Sequence, residues 1–432
     1  MKAIGIDIGT TSISAVVLDM ENQCVLTAKT IPNGSFIETE SQWERIQDIA
    51  VIMGKAMAVL DELLETYPDV SSIGLTGQMH GILYLDKEGE CISPLYIWQD
   101  GRGNLSMGEE SYVQYAVRTT GMNVASGYGL ITHYYNLKNN LVPENAKKIC
   151  TIGDYLGMTL TGRKEPLVHG SNAASMGFFH AQKGCFAAEK LQLLEIDTEI
   201  LPQVTEEFLE LGSYKGVPVT VAIGDNQASF LGSVGMEKNT VLVNMGTGGQ
   251  ISVLSDVYFE APGIEARPLQ KEKYLLVGAS LCGGRAYAIL EKFFRTFASY
   301  IEENAEAQYD LMEELARKGK QREDGMQVST TFNGTRVNPD QLGTIWGISE
   351  DNFTPEGLTF GVLKGMAQEL FDMFALMKEG TGIEAKHLIA SGNGLRKNQV
   401  LQEIFCELFQ ADLQMAKYQE EAACGAAISS VR

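Results

Sequence analysis

Apolar positions run in two registers along this chain, and the alternation between them lays out its architecture. The β-type runs AIGIDI (residues 3–8) and ISAVVL (13–18) flank Gly9-Thr10-Thr11-Ser12, which predicts an opening hairpin with a glycine/threonine turn. Ser41 to Thr66 carries apolar residues near the helical period, and SSIGLTG (71–77) reads as a buried strand after it. Strand, helix, strand makes a parallel unit. VPVTVAIGD (217–225) predicts a strand ending in a loop, and NTVLVNMGTGGQISVL (239–254) repeats the opening pattern in the second half. The remainder predicts a helix from about Arg285 to Glu302, an irregular stretch over 321–340, a helix from Thr354 to Met377, the strand HLIAS (387–391) and a helix from Lys397 to Phe409.

A duplicated opening implies two domains, 1–232 and 233–432, with a cleft between them. At 432 residues the chain exceeds what one ordinary core holds, which agrees. The formal net charge of -21 argues against an extended nucleic-acid surface and against binding anionic membranes, so any phosphate must be held locally. Seven scattered cysteines lack CxxC or Cys/His ligand spacing and fit reduced thiols in a cytoplasmic protein. No signal-peptide pattern opens the chain, and no run approaches the roughly 18 apolar residues of a membrane span. A soluble, cytoplasmic protein is expected.

Five glycine-rich clusters carry candidate chemistry: GIDIGTTS, GQMHG, GDNQAS, NMGTGG and SGNGLRKNQ. Glycine-rich turns let backbone amides approach a phosphate, and a nearby carboxylate holds a metal ion or takes a proton. Asp7 ends a strand beside donors from Gly9, Thr10, Thr11 and Ser12, the combination a magnesium-bound triphosphate needs. Gly246, Thr247 and Gly248 offer the same donors in the second half. The chain has no GxxxxGK[ST], and no GxGxxG opens a helix after a strand, which disfavours P-loop and dinucleotide sites. Asp225, followed by Asn226 and Gln227, is the candidate general base for an attacking alcohol; its local sequence also suits a helix cap. Gln78, Met79 and His80 with Trp98, Asp100 and Arg102 supply the mix of groups that binds a polyhydroxylated ligand, although Trp98 suits a core equally. At Gly392, Asn393 and Asn398 a strand end, glycine turn and helix offer a surface for a base or ribose.

Taken together these motifs resemble the FGGY family of carbohydrate kinases from Ile4 to Ile428. The resemblance implies two actin-like (ribonuclease H-like) α/β ATPase domains, with ATP and Mg2+ in the cleft and a sugar hydroxyl as acceptor. By position, Asp7 matches the family's metal-site aspartate and Asp225 its catalytic base, the two facing one another across the crevice. GIDIGTTS and NMGTGG match the phosphate loops, and SGNGLRKN with EEAACGAA (420–427) matches the adenosine-binding region. GQMHG is the pattern of ketose kinases. WQDGR, ASGYG (125–129), SNAASMGFF (171–179) and GDNQAS look more like the sedoheptulokinase subgroup than the xylulokinases. The family's Lys-x-x-Trp stretch is replaced by THYYNLKNN (132–140), and its GER by Gly334-Thr335-Arg336.

The resemblance therefore implies phosphorylation of a ketose primary hydroxyl, sedoheptulose to sedoheptulose 7-phosphate, with xylulose as the alternative acceptor. Asp225 would take the proton, Asp7 would hold magnesium through water, and Gln78, His80 and Asp100 would orient the sugar. The expected partners are the sugar and ATP, in a monomer or homodimer. Two other readings are an actin-like protein that changes shape with its nucleotide and a sugar sensor without turnover; the polyhydroxyl-binding motifs oppose the first and the two intact carboxylates the second.

Overall fold

The computed structural model describes residues 1–301, 306–322 and 325–431. The chain folds into two compact units. One comprises Met1–Gly235 with Arg267–Glu272 and Tyr418–Arg432, the other Met236–Ala266 with Lys273–Lys417. The sequence places everything after residue 232 in one domain; the structure returns the C-terminal segment to the first unit, where it packs on the opening strand.

The first unit begins with β1 (Lys2–Ile8), β2 (Ser12–Asp19) and β3 (Cys24–Pro32), an antiparallel meander around the predicted turn. Helix α1 (Ile49–Thr66) leads to β4 (Val70–Gly77), which lies parallel to β1. The helix starts later than its periodicity suggests. Asp48 caps it by accepting from the Ala50 and Val51 amides, and Ser41–Gln47 is loop and a two-residue strand. Ile4, Ile6 and Ile8 face Ile52, Leu60 and Leu63 in one core, each burial contributing about 1.5–3 kcal/mol. The predicted strand over 217–225 is two pieces, β5 (Val217–Thr220) and β6 (Ile223–Gly224), both beside β4. Asp225 opens helix α2 (Asp225–Val234), with Gly224 as its cap.

The second unit repeats the plan. Its strands β7 (Thr240–Met245), β8 (Gly249–Ser255) and β9 (Lys273–Ser280) lie side by side and antiparallel, followed by helices α3 (Gly283–Ser299) and α4 (Pro355–Thr381). Then β10 (His387–Ser391) joins parallel to β7, and β11 (Leu413–Met415) parallel to β10. The spatial order β9-β8-β7-β10-β11 matches β3-β2-β1-β4-β5 of the first unit. This shared order is the actin-like, ribonuclease H-like arrangement. The predicted end of α3 at Glu302 and two positions of the irregular stretch, Glu323 and Asp324, lie outside the described residues. Within that stretch Gln327–Ser329 forms a strand paired with Thr344–Trp346.

The final helix α5 (Glu421–Ser429) belongs to the first unit. Its backbone touches the sheet where side chains are missing: a Cβ on Gly5 would lie 1.8 Å from the Ala423 carbonyl oxygen, and one on Gly74 1.7 Å from that of Ala426. No helix among the described residues is long and apolar enough to cross a membrane.

Candidate active site

Strand alternation puts Asp7 where it can act. Ile4, Ile6 and Ile8 point into the core with α1, so Ala3, Gly5 and Asp7 point to the opposite face, the face α5 covers at Gly5. Asp7 pairs with Ser14 on β2 and Thr76 on β4, and Thr76 pairs with Ile223 on β6. Asp225 therefore emerges one residue beyond β6 at the carboxyl end of the same sheet, two strand spacings, about 10 Å, from the β1 axis. Ligands of open α/β sheets gather at that end. The two carboxylates belong to one unit, joined by one sheet, and the expectation that they face one another across a crevice is corrected accordingly.

Each carboxylate keeps part of its surface open, yet both are deep enough for desolvation to dominate. Burial, then the charge of Asp225, then that of Glu420, push the Asp7 carboxyl up to about 7. Burial raises Asp225 to about 6; the Arg267 charge and the backbone amides of Asn226 and Met79 oppose the rise. At neutral pH Asp225 is thus mostly ionised and basic enough to share a proton.

The turn after β1 is anchored by its carbonyls. Asn33 Nδ2 donates to the Gly9 oxygen (2.8 Å), Gln47 Nε2 to that of Thr10 (2.8 Å), and the Asn33 amide to that of Thr11 (2.9 Å). Among the described residues, no protein acceptor meets the amides of Gly9, Thr10 or Thr11. Ser12 opens β2 opposite Pro32. The turn after β7 follows the same plan in the second unit: the Gly284 and Arg285 amides at the start of α3 donate to the oxygens of Gly246 and Thr247 (both 3.0 Å), and among the described residues the Thr247 and Gly248 amides meet no protein acceptor. Gly246 and Thr247 are exposed. Both turns thus offer amide donors to an anion.

The GQMHG loop joins the first turn to Asp225. Gln78 accepts from Thr10 Oγ1 (3.2 Å) and donates to Gln47 Oε1 (2.8 Å), while the Met79 amide meets the Asp225 carboxylate. His80 takes a left-handed backbone (φ 72°); its amide donates to Ser175 Oγ, its Nδ1 lies 2.7 Å from the Ser175 oxygen, and its ring stacks on Tyr128 at 4.6 Å. Trp98 is 47% exposed and donates from Nε1 to Thr10 Oγ1 (3.0 Å), which decides against the core reading. Asn226 Oδ1 is buried without a partner beside Asp225.

Three predicted contacts are turned elsewhere. Asp100 and Arg102 are each 1% exposed and bond to one another at 2.6 Å. Arg102 is further held by Asn136 and Glu44 and lies against the rings of Trp43, Tyr96 and Tyr135. A buried charge must be paired, and this pair has spent its donors and acceptors on protein. Asn398 caps the helix Gln399–Phe409 by accepting from the Leu401 amide (2.9 Å) and is buried, so it faces the helix rather than a nucleoside. Gly392 (φ 84°) and exposed Asn393 keep the predicted turn. A cavity of about 510 Å³ lined by Ile37, Met53, Cys91 and Tyr155 contains none of these residues; converging polar groups, not depth, mark the site.

Residues 2–232 match the FGGY family of carbohydrate kinases, N-terminal domain, and residues 241–431 match its C-terminal domain. The chain belongs to the FGGY family. It is 29% identical to the sedoheptulokinase of Mus musculus, covering 93% of this chain and 91% of that one. The xylulose kinase of Rhodospirillum rubrum shares the fold at a TM-score of 0.83 and 23% identity, over 99% of this chain and 89% of that one. Plasmodium falciparum glycerol kinase, solved with ADP, aligns at 0.80 and 18% identity, over 99% and 88%. This FGGY protein is an ATP-dependent carbohydrate kinase, a phosphotransferase with an alcohol group as acceptor.

A divalent cation fits beside Asp7. Its Oδ1 is buried without a hydrogen-bond partner, and the neighbouring charges that act most strongly on it, Asp225 and Glu420, are both negative. Among the described residues no three His, Cys, Asp or Glu side chains converge into a metal cage. That suits Mg2+, which keeps waters and takes one or two carboxylates alongside phosphate oxygens. Sequence reasoning missed Arg267, Gln47 and Asn33, which hold the site from distant segments with no local motif, and singled out neither Ser175 nor Tyr128 within the SNAASMGFF and ASGYG motifs that contain them. It also assigned EEAACGAA to adenosine, whereas Ala423–Ala427 are buried against the first sheet.

Proposed function

We propose that this kinase transfers the γ-phosphoryl group of ATP to the 7-hydroxyl of sedoheptulose, giving sedoheptulose 7-phosphate and ADP. The observation that carries this reading is the pairing of Gly77 with Gly224, which sets the ketose-kinase loop beside the candidate base Asp225. Asp225 accepts the hydroxyl proton as the bond to phosphorus forms, a role worth about 10²–10⁴ in rate. Gln78, His80, Trp98 and Asn226 orient the sugar; Asp100 and Arg102 hold the loop that presents Trp98. The free amides of Gly9, Thr10 and Thr11, and those of Thr247 and Gly248, bind phosphates, and the turn at Gly392 and Asn393 receives the adenosine. Asp7 would hold Mg2+, which would supply neutralising charge on the phosphates. The enzyme works in the cytoplasm as a monomer or homodimer.

The test is an ADP-release assay with sedoheptulose, xylulose, ribulose, glycerol and fructose as separate acceptors. Sedoheptulose should give the highest kcat/KM. A higher value with xylulose would replace the assignment within the same mechanism, and ATP hydrolysis indifferent to every sugar would overturn it.

A further inference from the structure

The last helix carries a third carboxylate to Asp7. Ala427 of α5 packs with Ala3, and the Ala423 carbonyl lies over Gly5, so the helix runs back along β1 toward the turn. One more helical turn brings Glu420, the cap residue of α5, level with Asp7. Asp7, Ser14 and Thr30 stand in one row across β1, β2 and β3, paired in register and on the same face. Ser14 Oγ and Thr30 Oγ1 are 2.9 Å apart, and Thr30 Oγ1 donates to Glu420 Oε1 at 3.1 Å. The row fixes the carboxylate of Glu420 while its second oxygen has no protein partner among the described residues. Among the described residues no ion pair holds it either.

We propose that Glu420 is the outer partner of Asp7 in the cation site, its carboxylate accepting hydrogen bonds from the water shell of the divalent ion and fixing that shell's orientation. The proposal rests on the reading of Asp7 as the metal carboxylate. Two observations set it apart from a packing role: the unpartnered buried Oδ1 of Asp7 calls for a positive ligand, and the Thr30 hydroxyl aims Glu420 instead of neutralising it. A purely structural cap at this position would need neither the charge nor the threonine. Magnesium retains most of its waters, so a carboxylate that orders them contributes to affinity without displacing one.

Mn2+ binding to the full-length protein without nucleotide, followed by electron paramagnetic resonance and isothermal titration, tests this directly. Glu420→Gln should weaken Mn2+ about tenfold. Thr30→Val, which keeps the charge but releases its orientation, should weaken it less, about threefold. Wild-type affinity in Glu420→Gln, with a thermal unfolding profile showing a folded protein, would overturn the proposal. If Glu420→Gln does not fold, Thr30→Val decides: unchanged Mn2+ affinity there rejects the role. Asp7→Asn separates the two claims. Loss of Mn2+ in Asp7→Asn but not in Glu420→Gln sinks only the role of Glu420, whereas retention in Asp7→Asn sinks the metal site itself.

Discussion

Replacing Asp7 by asparagine should make the metal-free protein more stable, and by an amount that grows with pH. Folding places this carboxyl where burial and two like charges raise its pKa from the ordinary 3.8 to about 7. The folded state then binds the proton more tightly than the unfolded chain, so stability falls as pH rises from about 4 and the loss is complete above about 7. At about 1.4 kcal/mol per tenfold, the ceiling on that loss is about 4 kcal/mol. Asparagine has no charge to bury and avoids it. For a unit of this size, roughly 2 °C per kcal/mol gives a rise in Tm of up to about 8 °C at pH 8, shrinking toward zero at pH 4. Thermal unfolding in a chelating buffer from pH 4 to 8 measures the difference. Saturating Mg2+ and ATP should narrow it, because only the wild type gains the full ligand stabilisation. A destabilised variant at pH 8, or a difference that does not change with pH, would refute the electrostatic account of the site.

Other expectations follow from the same geometry. With Asp225 at about 6, kcat/KM should fall tenfold per pH unit below pH 6, because the base must be ionised; a profile flat to pH 5 contradicts the role. Gly5→Ala would put a methyl group 1.8 Å from the Ala423 oxygen, so α5 must shift, costing about 3 kcal/mol or more in denaturant unfolding; a neutral result would mean the helix is not seated there. Arg102→Ala strands a fully buried Asp100 and should cost about 3–5 kcal/mol, seen as a lower unfolding midpoint; a cost below 1 kcal/mol would place the pair in solvent.

The two hairpins and their turns were legible because the glycine and threonine runs have few other uses between β-type segments, and two copies in one chain implied a repeated architecture; the third strand of each sheet was not foreseen. Three further features were not legible. The α1 start was masked by Trp43 and Ile46, which fall near helical spacing although Asp48 is the residue that caps the helix. In WQDGR, composition could not separate Trp98, which is open beside Thr10, from Asp100 and Arg102, which pair in the interior. Local sequence equally gave no sign that residues near 425 would lie against residues near 5. That contact depends on Gly5 and Gly74, whose missing side chains admit the α5 backbone, and it is what turns Glu420 from part of a nucleoside surface into a neighbour of Asp7.

The account stands on Asp225 as the group that takes the sugar's proton. Single-turnover phosphorylation of sedoheptulose by Asp225→Ala, with ATP and sugar binding measured alongside, tests this most directly. Binding should stay within a few-fold of wild type while the chemical step slows by about 10²–10⁴. Phosphoryl transfer at the wild-type rate, with both ligands bound, would contradict it.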